Sequence, residues 1–266
     1  MDIDFYQHYA AAAEAARGPA WRYDEMKPCG FNYNNFLLAR VYDTHHQMFR
    51  DYQQETEQIV DLLGRDPFAT VIDMGCGTGA FAIHAAPCYH RIHAVDVSKA
   101  MLNRARRKAR KAGASNVEFH HGGFLTYEHQ GPPADAAVSV AALHHLPDFW
   151  KLVGLHRLAS MLKPNARFYL FDVVFSFDVA QHESAADQFV RRMSTHLGPN
   201  GQVESEIHLR SEYSTCNWIM EGLLERVGFQ IEEADYKDDF LAGYVCTKKS
   251  EAVRAKSLTV ADQQLR

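Results

Sequence analysis

A glycine-rich segment, Asp73-Met74-Gly75-Cys76-Gly77-Thr78-Gly79, connects a short apolar run to residues that favour a helix. Glycines at this spacing let a ligand approach the backbone closely, because any Cβ there would collide with it. The helix that follows would add unpaired backbone N–H groups at its N-terminus. The segment therefore predicts a ligand-binding loop. The ligand stays open, since with Ala80 the loop also satisfies the G-x-G-x-x-A form of dinucleotide enzymes.

Two acidic residues near this loop narrow the choice of ligand. Asp96 closes the next apolar run, where a carboxylate can accept hydrogen bonds from ribose hydroxyls. That residue alone suits a nicotinamide dinucleotide equally well. Asp73 stands just ahead of the first glycine, so its charge would repel a pyrophosphate bound in the loop. The same charge favours a ligand that carries a sulfonium and an α-amino group.

A pair of histidines supplies the candidate catalytic groups. His144 and His145 follow an apolar run and can act as a general base toward an oxygen or nitrogen nucleophile, which is typically worth ~10²–10⁴-fold in rate. In the alternative interpretation, one histidine packs against the ligand and the other orders the loop. The pairs His45-His46 and His120-His121 suggest a metal, but the sequence has no H-E-x-x-H pattern and no closed Cys/His spacing. No metal is therefore predicted.

Alternating apolar and helical patterns position these residues. Strands are predicted at 70–74, 91–95, 117–120, 136–140 and 167–174, and helices at about 78–86, at 98–111 and from Pro147 onward. This order predicts a doubly wound α/β fold with a parallel sheet and right-handed crossovers. Such folds bind ligands at the carboxyl ends of their strands, where the glycine loop, Asp96 and the histidine pair would meet.

The remaining segments are assigned to a cap, an insert and a tail. Residues 1–66 are predicted as a helical N-terminal cap, 67–248 as the ligand-binding domain and 249–266 as a C-terminal tail. The insert, at about 175–213, is expected to contain a helix at 178–197, a turn at 198–201 and an extended connector at 203–210. A helix at 214–227 and a strand pair at 230–234 and 242–247 would complete the domain.

Composition argues against several functional classes. The 266 residues carry a formal net charge of −5, so a nucleic acid is not the default partner. The basic run at 104–111 is interpreted as a solvated helix face, with an RNA-binding patch as the alternative. The N-terminus lacks a signal-peptide core, no apolar run is long enough for a membrane span, and the five cysteines are scattered. These features predict a cytoplasmic protein.

Taken in order, these motifs resemble those of the class I S-adenosylmethionine-dependent methyltransferases. The loop at 73–79 is similar to their cofactor loop, and Ala94-Val95-Asp96-Val97-Ser98 is similar to their second motif. Residues 139–147, which include the histidine pair, resemble the fourth-strand motif of members acting on small molecules and quinones. Residues 162–167 and 223–229 match the turn into strand five and the helix before strand six. The resemblance covers roughly 69–248 and implies a Rossmann-like, mostly parallel seven-stranded sheet.

The resemblance also implies which residues bind the cofactor, S-adenosyl-L-methionine. The glycines would pass under its amino acid moiety, Asp73 would contact its ammonium group directly or through water, and Asp96 would bind its ribose. Val97 and Met101 would pack on its adenine. The full implied set is Asp73, Gly75, Cys76, Gly77, Thr78, Gly79, Asp96, Val97, Met101, Gly123, Phe124 and Ala141. Many members carry an acid after the third strand that binds the adenine amine, but this chain has Gly123 there. Backbone groups of Gly123 or Phe124 are expected to substitute.

The N-terminal segment is the predicted substrate lid. Its aromatic residues would close over the pocket and exclude water, although aromatic residues also commonly pack a cap onto a core. The lid residues are Tyr23, Phe31, Tyr33, Tyr42 and His46. The insert would add a second wall. Asp172, at the end of strand five, would also point toward the site. Further residues expected to face it are Glu212, Tyr213 and Ser214.

These expectations combine into one prediction. The enzyme would transfer a methyl group in line to an oxygen, nitrogen, sulfur or carbon atom of a small-molecule acceptor. No membrane partner is expected, and a homodimer is left open. The alternatives are an RNA-directed methyltransferase, an NAD-linked oxidoreductase and a cofactor-binding module without catalysis.

Overall fold

The computed structural model describes residues 21–35, 43 and 50–250. Its centre is a sheet whose first five strands run parallel, followed by an antiparallel pair at one edge. The strands are β1 (Asp66–Met74), β2 (Tyr89–Asp96), β3 (Val117–His121), β4 (Ala134–Val140), β5 (Leu162–Phe175), the two-residue β6 (Thr215–Cys216), β7 (Phe229–Lys237) and β8 (Leu241–Lys248). Their order is β3-β2-β1-β4-β5-β8-β7, with β6 beside β5. The predicted mostly parallel α/β sheet is confirmed.

Helices connect and cover the strands. They are α1 (Tyr52–Leu63), α2 (Ala80–Ala85), α3 (Lys99–Ala112), α4 (Asp148–Ser160), α5 (His182–Leu197), α6 (Pro199–Ser211) and α7 (Asn217–Arg226). Short polar side chains begin two of them: Asp51 accepts from the N–H groups of Gln53 and Gln54, and Ser98 accepts from that of Met101. Gly113, at φ 72°, ends α3 in the left-handed conformation that glycine adopts easily.

The core lies on both faces of the sheet. Along β1, Val71 packs in one apolar cluster and Ile72 in the other, because successive side chains of a strand point to opposite faces. The first cluster also contains Leu102 of α3, and the second contains Leu155 of α4 and Leu224 of α7. Burial on two faces explains why the central strands are continuous apolar runs.

The prediction for the insert was wrong at 203–210. These residues belong to α6, not to an extended connector, and residues 199–201 of the predicted turn also lie in that helix. Pro199 begins the helix at a position where its missing N–H costs nothing, and Ser205 and His208 are buried along it. A Cβ on Gly201 would lie 2.1 Å from the backbone oxygen of Met193 in α5, so the two helices approach very closely there. Tertiary packing therefore decides a segment whose own apolar pattern is weak.

The N-terminal cap was expected to be helical as a whole, and this holds only in part. Among the described residues, 21–35 form turns and bends, whereas α1 is helical. Proline and glycine at 28 and 30, the latter at φ 65°, disfavour a helix there. The tail at 251–266 lies outside the described residues, and the proposed division into cap, domain and tail stays a prediction.

Within 21–35, 43 and 50–250, no helix combines the length and the apolar character that crossing a bilayer requires.

Candidate functional site

A cavity of about 640 Å³ opens at the carboxyl ends of the parallel strands. Its walls come from the loops after β1, β2, β3 and β4, from residues 25–34, and from α5, α6 and the β7–β8 turn. Its volume lies in the range typical of small-molecule sites. Its position is where a doubly wound sheet binds ligands. Many of the predicted site residues line this one cavity.

The glycine loop forms one wall of the cavity under tight steric constraint. Gly75 and Gly77 have φ values of 82° and 53°, and both line the cavity. A Cβ added to Gly75 would lie 2.2 Å from the Cβ of Ala142. The loop thus needs glycine at 75 for two independent reasons, conformation and space.

Asp96 ties this loop to the end of β2. Its Oδ2 accepts from the N–H of Gly77 at 2.7 Å, and its Oδ1 accepts from the N–H of Ser98 at 2.7 Å. Each carboxylate oxygen can accept a further hydrogen bond, and Asp96 lines the cavity. Burial raises the pKa of Asp96 to about 6, so the group is ionised at neutral pH. It fits the predicted contact with a pair of ribose hydroxyls.

Asp73 lies deeper than the resemblance implied. Its side chain is buried and does not line the cavity, and among the described residues its Oδ2 has no hydrogen-bond partner. Burial, and after it the charge of Asp96, raise the pKa of Asp73 to about 8. In the free protein this carboxyl is therefore mostly protonated at pH 7, so its charge alone does not exclude a pyrophosphate as the sequence suggested; an ammonium group bound nearby would favour the ionised form. The two acidic residues therefore fit the ribose and the ammonium group of S-adenosylmethionine.

The other predicted cofactor residues fall into two groups. Those that line the cavity are Gly75, Gly77, Asp96, Val97, Met101, Gly123, Phe124 and Ala141. Those that do not are Asp73, Cys76, Thr78 and Gly79. Thr78 donates instead to Oδ1 of Asp43 at 2.5 Å, which fixes the start of α2. The second group supports the loop from behind.

Glu25 is a cavity residue that the sequence reasoning missed. It belongs to the N-terminal segment 21–35, yet it lies against the turn after β3 and lines the cavity beside Gly123. Both of its carboxylate oxygens are 3.0 Å from the N–H of Leu125, and Thr126 Oγ1 donates to Oε1 at 2.6 Å. No sequence pattern links position 25 to position 123, because the contact is purely tertiary.

The opposite wall of the cavity carries His144, held by Asp172. Nδ1 of His144 is 2.5 Å from Oδ1 of Asp172, whose Oδ2 accepts from the N–H groups of Leu143 and His144 at 2.8 and 3.1 Å. Asp172 was expected to point toward the substrate. It is completely buried and stands behind His144, off the cavity wall. It therefore positions the imidazole and cannot contact an acceptor directly.

Glu212 completes this buried polar cluster. Its Oε2 lies 3.4 Å from Nε2 of His144 and also contacts Nδ1 of His208, whose Nε2 is 2.7 Å from Ser214 Oγ. Glu212 and His208 line the cavity, whereas Tyr213 and Ser214 do not. Sequence reasoning missed His208, since it was placed in the supposed connector.

Charge within this cluster sets the protonation of its members. Burial opposes protonation of His144, but the carboxylates of Asp172 and Glu212 outweigh it and raise the pKa of His144 above its usual value. Burial likewise opposes ionisation of Glu212, but the hydrogen bond from His208 and the charge of His144 lower its pKa to about 2. Burial and the neighbouring His144 lower the pKa of His145 to about 3. The two predicted catalytic histidines therefore differ: His144 holds a proton more strongly than an ordinary histidine, and His145 holds one far more weakly.

Segment 21–35 forms a third wall. Phe31 and Tyr33 line the cavity, and the backbone N–H of Phe31 donates to Oε1 of Glu212 at 3.3 Å. Tyr23 lies outside the lining and donates from its hydroxyl to the backbone oxygen of His145 at 3.2 Å. The other two predicted lid residues, Tyr42 and His46, lie outside the described residues.

Among the residues that the structure describes, two groups of side chains have the spacing of metal ligands. His144, His145 and Glu212 form one group, and His93, Glu118 and His120 form the other; in each, the ligand atoms lie within 4.8 Å of one another. Hydrogen bonds and ion pairs among the side chains already use several of these atoms, as between His93 Nδ1 and His120 Nε2 at 3.0 Å. The expectation of no metal stays a prediction.

Comparison with known proteins agrees with this geometry. The family model described as "Methyltransferase domain" matches residues 71–165. The chain is 25% identical over 239 residues to the 27-O-demethylrifamycin SV methyltransferase of Amycolatopsis mediterranei, which covers 78% of this chain and 87% of that protein.

Solved structures show the same fold. A SAM-dependent methyltransferase from Aquifex aeolicus superposes with a TM-score of 0.57 at 18% identity, covering 82% of this chain and 98% of that one. The magnesium protoporphyrin IX methyltransferase of Synechocystis PCC 6803, solved with bound SAH, gives a TM-score of 0.58 at 17% identity, covering 81% of this chain and 98% of that one. With the glycine loop and Asp96 lining one cavity, residues 71–165 form a methyltransferase domain of the S-adenosylmethionine-dependent type, and the solved structures show that the chain has the fold of these enzymes.

Proposed function

We propose that this methyltransferase acts on an oxygen or nitrogen atom of a small-molecule acceptor bound between His144, segment 21–35 and helices α5 and α6. The observation that carries the proposal is the buried His144–Asp172 pair, with His144 on the cavity wall. S-adenosylmethionine, when bound, supplies an electrophilic methyl group on a sulfonium leaving group. The chain then has to orient the acceptor, exclude water and accept a proton.

Proton acceptance is assigned to Nε2 of His144. Asp172 accepts the hydrogen bond from Nδ1, so the neutral imidazole carries its lone pair on Nε2. After Nε2 takes up the acceptor's proton, Asp172 on one side and Glu212 on the other stabilise the imidazolium. A base of this kind is typically worth ~10²–10⁴-fold in rate. His145, which stays neutral, is assigned to packing and orientation.

The walls of the cavity favour a small acceptor. Phe189 of α5 and His208 of α6 face the cavity together with Phe31 of the N-terminal segment, which gives a largely apolar chamber. The relatives compared above are named for small molecules, a demethylrifamycin and a magnesium protoporphyrin. These observations support a small molecule over a polymer as the acceptor.

An RNA acceptor is the less supported alternative. Arg104 and Lys108 of the basic helix α3 form ion pairs with Asp43 at 3.1 and 3.0 Å. Arg106 donates to the backbone oxygen of Phe119 at 3.1 Å. Part of the basic run therefore serves the fold itself.

The proposal is tested with labelled S-adenosylmethionine and a panel of phenols, alcohols, carboxylic acids, amines and thiols, with total RNA as a separate arm. We expect label on at least one hydroxyl or amine acceptor. His144→Ala should lower kcat for that acceptor by ~10²-fold or more. His156→Ala, at an exposed position on α4, is the matched control and should leave kcat unchanged. Labelling of RNA alone, or a fully active His144→Ala enzyme, would contradict the proposal.

A further inference from the structure

The carboxylate of Glu25 occupies the space that a side chain at position 123 would fill. A Cβ built on Gly123 would lie 2.5 Å from Oε2 of Glu25 and 2.8 Å from Cγ1 of Val97. Glycine at 123 therefore leaves the space that the carboxylate of Glu25 fills. An acid reaches the turn after β3, but it comes from a distant part of the chain.

This carboxylate retains hydrogen-bonding capacity toward the cavity. Oε1 accepts from Thr126 Oγ1, both oxygens share the N–H of Leu125 at 3.0 Å, and the backbone of Thr126 adds a further hydrogen bond. A carboxylate offers about four acceptor positions, so these three donors of the described residues leave one position for a ligand. Glu25 is 9% exposed and shares the cavity wall with Val97 and Met101, the residues assigned to adenine packing. A donor on the base is the partner that this position suits.

We propose that Glu25 reads the base of the cofactor by accepting a hydrogen bond from the exocyclic amine of adenine. The backbone N–H of Leu125 and the hydroxyl of Thr126 hold the carboxylate in place for that contact. Glu25 is thus a specificity residue for the cofactor, supplied by the N-terminal segment. The inference rests on the bound cofactor and is independent of the acceptor proposed above.

The residue that would bind adenine and the residues that line the acceptor side of the cavity then belong to the same short segment, 21–35. Arg22 donates to the backbone oxygen of Leu125 at 2.5 Å, beside Glu25, and Phe31 in the same segment contacts Glu212 across the cavity. Gly30 lies so close to Glu212 that an added Cβ would be 2.1 Å from its Oε1. Adenine bound to Glu25 would therefore favour the docked segment, and with it the closed acceptor chamber.

The test is a thermodynamic cycle between residue 25 and the adenine amine, measured by calorimetry on the full chain without any acceptor. The two ligands are S-adenosylhomocysteine and its analogue with hydrogen in place of the 6-amino group. For the unmodified enzyme, we expect the analogue to bind at least about tenfold more weakly, as for loss of a hydrogen bond to a charged group. For Glu25→Ala, the two dissociation constants should agree within about threefold.

The ratio of the two dissociation constants distinguishes a direct contact between Glu25 and adenine from a purely structural role of Glu25. A purely structural Glu25 would weaken both ligands equally and leave the wild-type ratio unchanged, which would overturn the proposal. Glu128→Gln, an exposed acid close to the same turn, should keep the wild-type ratio. If Glu25→Ala does not fold, the same comparison is made with Glu25→Met, which fills a similar space without a strong hydrogen-bond acceptor. A wild-type ratio below about threefold overturns the proposal without any variant.

Discussion

Nδ1 of His144 and Oδ1 of Asp172 lie 2.5 Å apart in the buried space between the ends of β4 and β5. Asp172 makes three further hydrogen bonds to backbone N–H groups, including that of Val173 at 2.7 Å. Its position is thus fixed by the backbone, and the position of His144 follows from it. The pair directs the other imidazole nitrogen, Nε2, toward Glu212 and the cavity.

The first prediction concerns this positioning. Asp172→Asn keeps the shape of the side chain, but its amide cannot stabilise the imidazolium by charge. We expect kcat to fall by ~10²-fold, within the range of a general base, while the dissociation constant for S-adenosylhomocysteine changes less than about threefold. Steady-state kinetics and calorimetry measure the two quantities. Asp187→Asn, at an exposed site on α5, is the control. Equal losses in kcat and cofactor binding would instead mean that the loop has collapsed.

The second prediction is a pH profile. Burial and the charge of Lys151 lower the pKa of His144, but the carboxylates of Asp172 and Glu212 outweigh them and raise it. The base works only when neutral, so kcat/KM should increase with pH, with a midpoint above 6.5, the ordinary value for histidine. Glu212→Gln removes one of the two charges and should move the midpoint to lower pH. An unchanged midpoint in Glu212→Gln would mean that another group controls the profile.

The third prediction follows from the orphaned carboxyl of Asp73. Its pKa of about 8 keeps it mostly protonated at pH 7 in the free protein. A cationic ammonium group nearby would favour the ionised form, so cofactor binding at pH 7 should release up to about one proton. Calorimetry in two buffers with different ionisation enthalpies counts the protons. Asp73→Asn should abolish the release, and equal heats in both buffers for the unmodified protein would count against the ammonium contact.

The fourth prediction concerns the steric need for Gly75. In Gly75→Ala the new Cβ meets Ala142 in addition to straining a residue at φ 82°. Gly131→Ala is a matched control, since its φ is 107° and a Cβ there meets nothing within 4 Å. The control should lose about 1–2 kcal/mol of unfolding free energy from strain alone, and Gly75→Ala at least about 1 kcal/mol more. Urea unfolding measures both. Equal losses would show that the loop can relax away from Ala142.

Local patterns predicted the parts of the site that lie within single elements. The apolar runs, the glycine loop and Asp96 follow one another along the chain, so their meeting at the ends of β1 and β2 could be derived from the sequence. Parallel strands impose that meeting, whatever the rest of the chain does.

Contacts between distant segments could not be predicted in this way. Glu25 reaches Leu125 because segment 21–35 docks on the turn after β3, and no periodicity encodes that docking. His208 escaped notice for a different reason. Helix α6 has a weak apolar pattern and is held by its close crossing with α5, so local propensity did not indicate a helix.

Docking of the 21–35 segment also sets the smallest functional unit of this enzyme. The matched domain, residues 71–165, contains the glycine loop and the histidine pair, but Glu25, Asp172 and Glu212 all lie beyond its limits. A fragment trimmed to that domain would thus keep its signature motifs while losing the proton-handling cluster and the wall beside Gly123. In this protein, the segment identified by sequence similarity is therefore shorter than the segment that contains all the residues of the site.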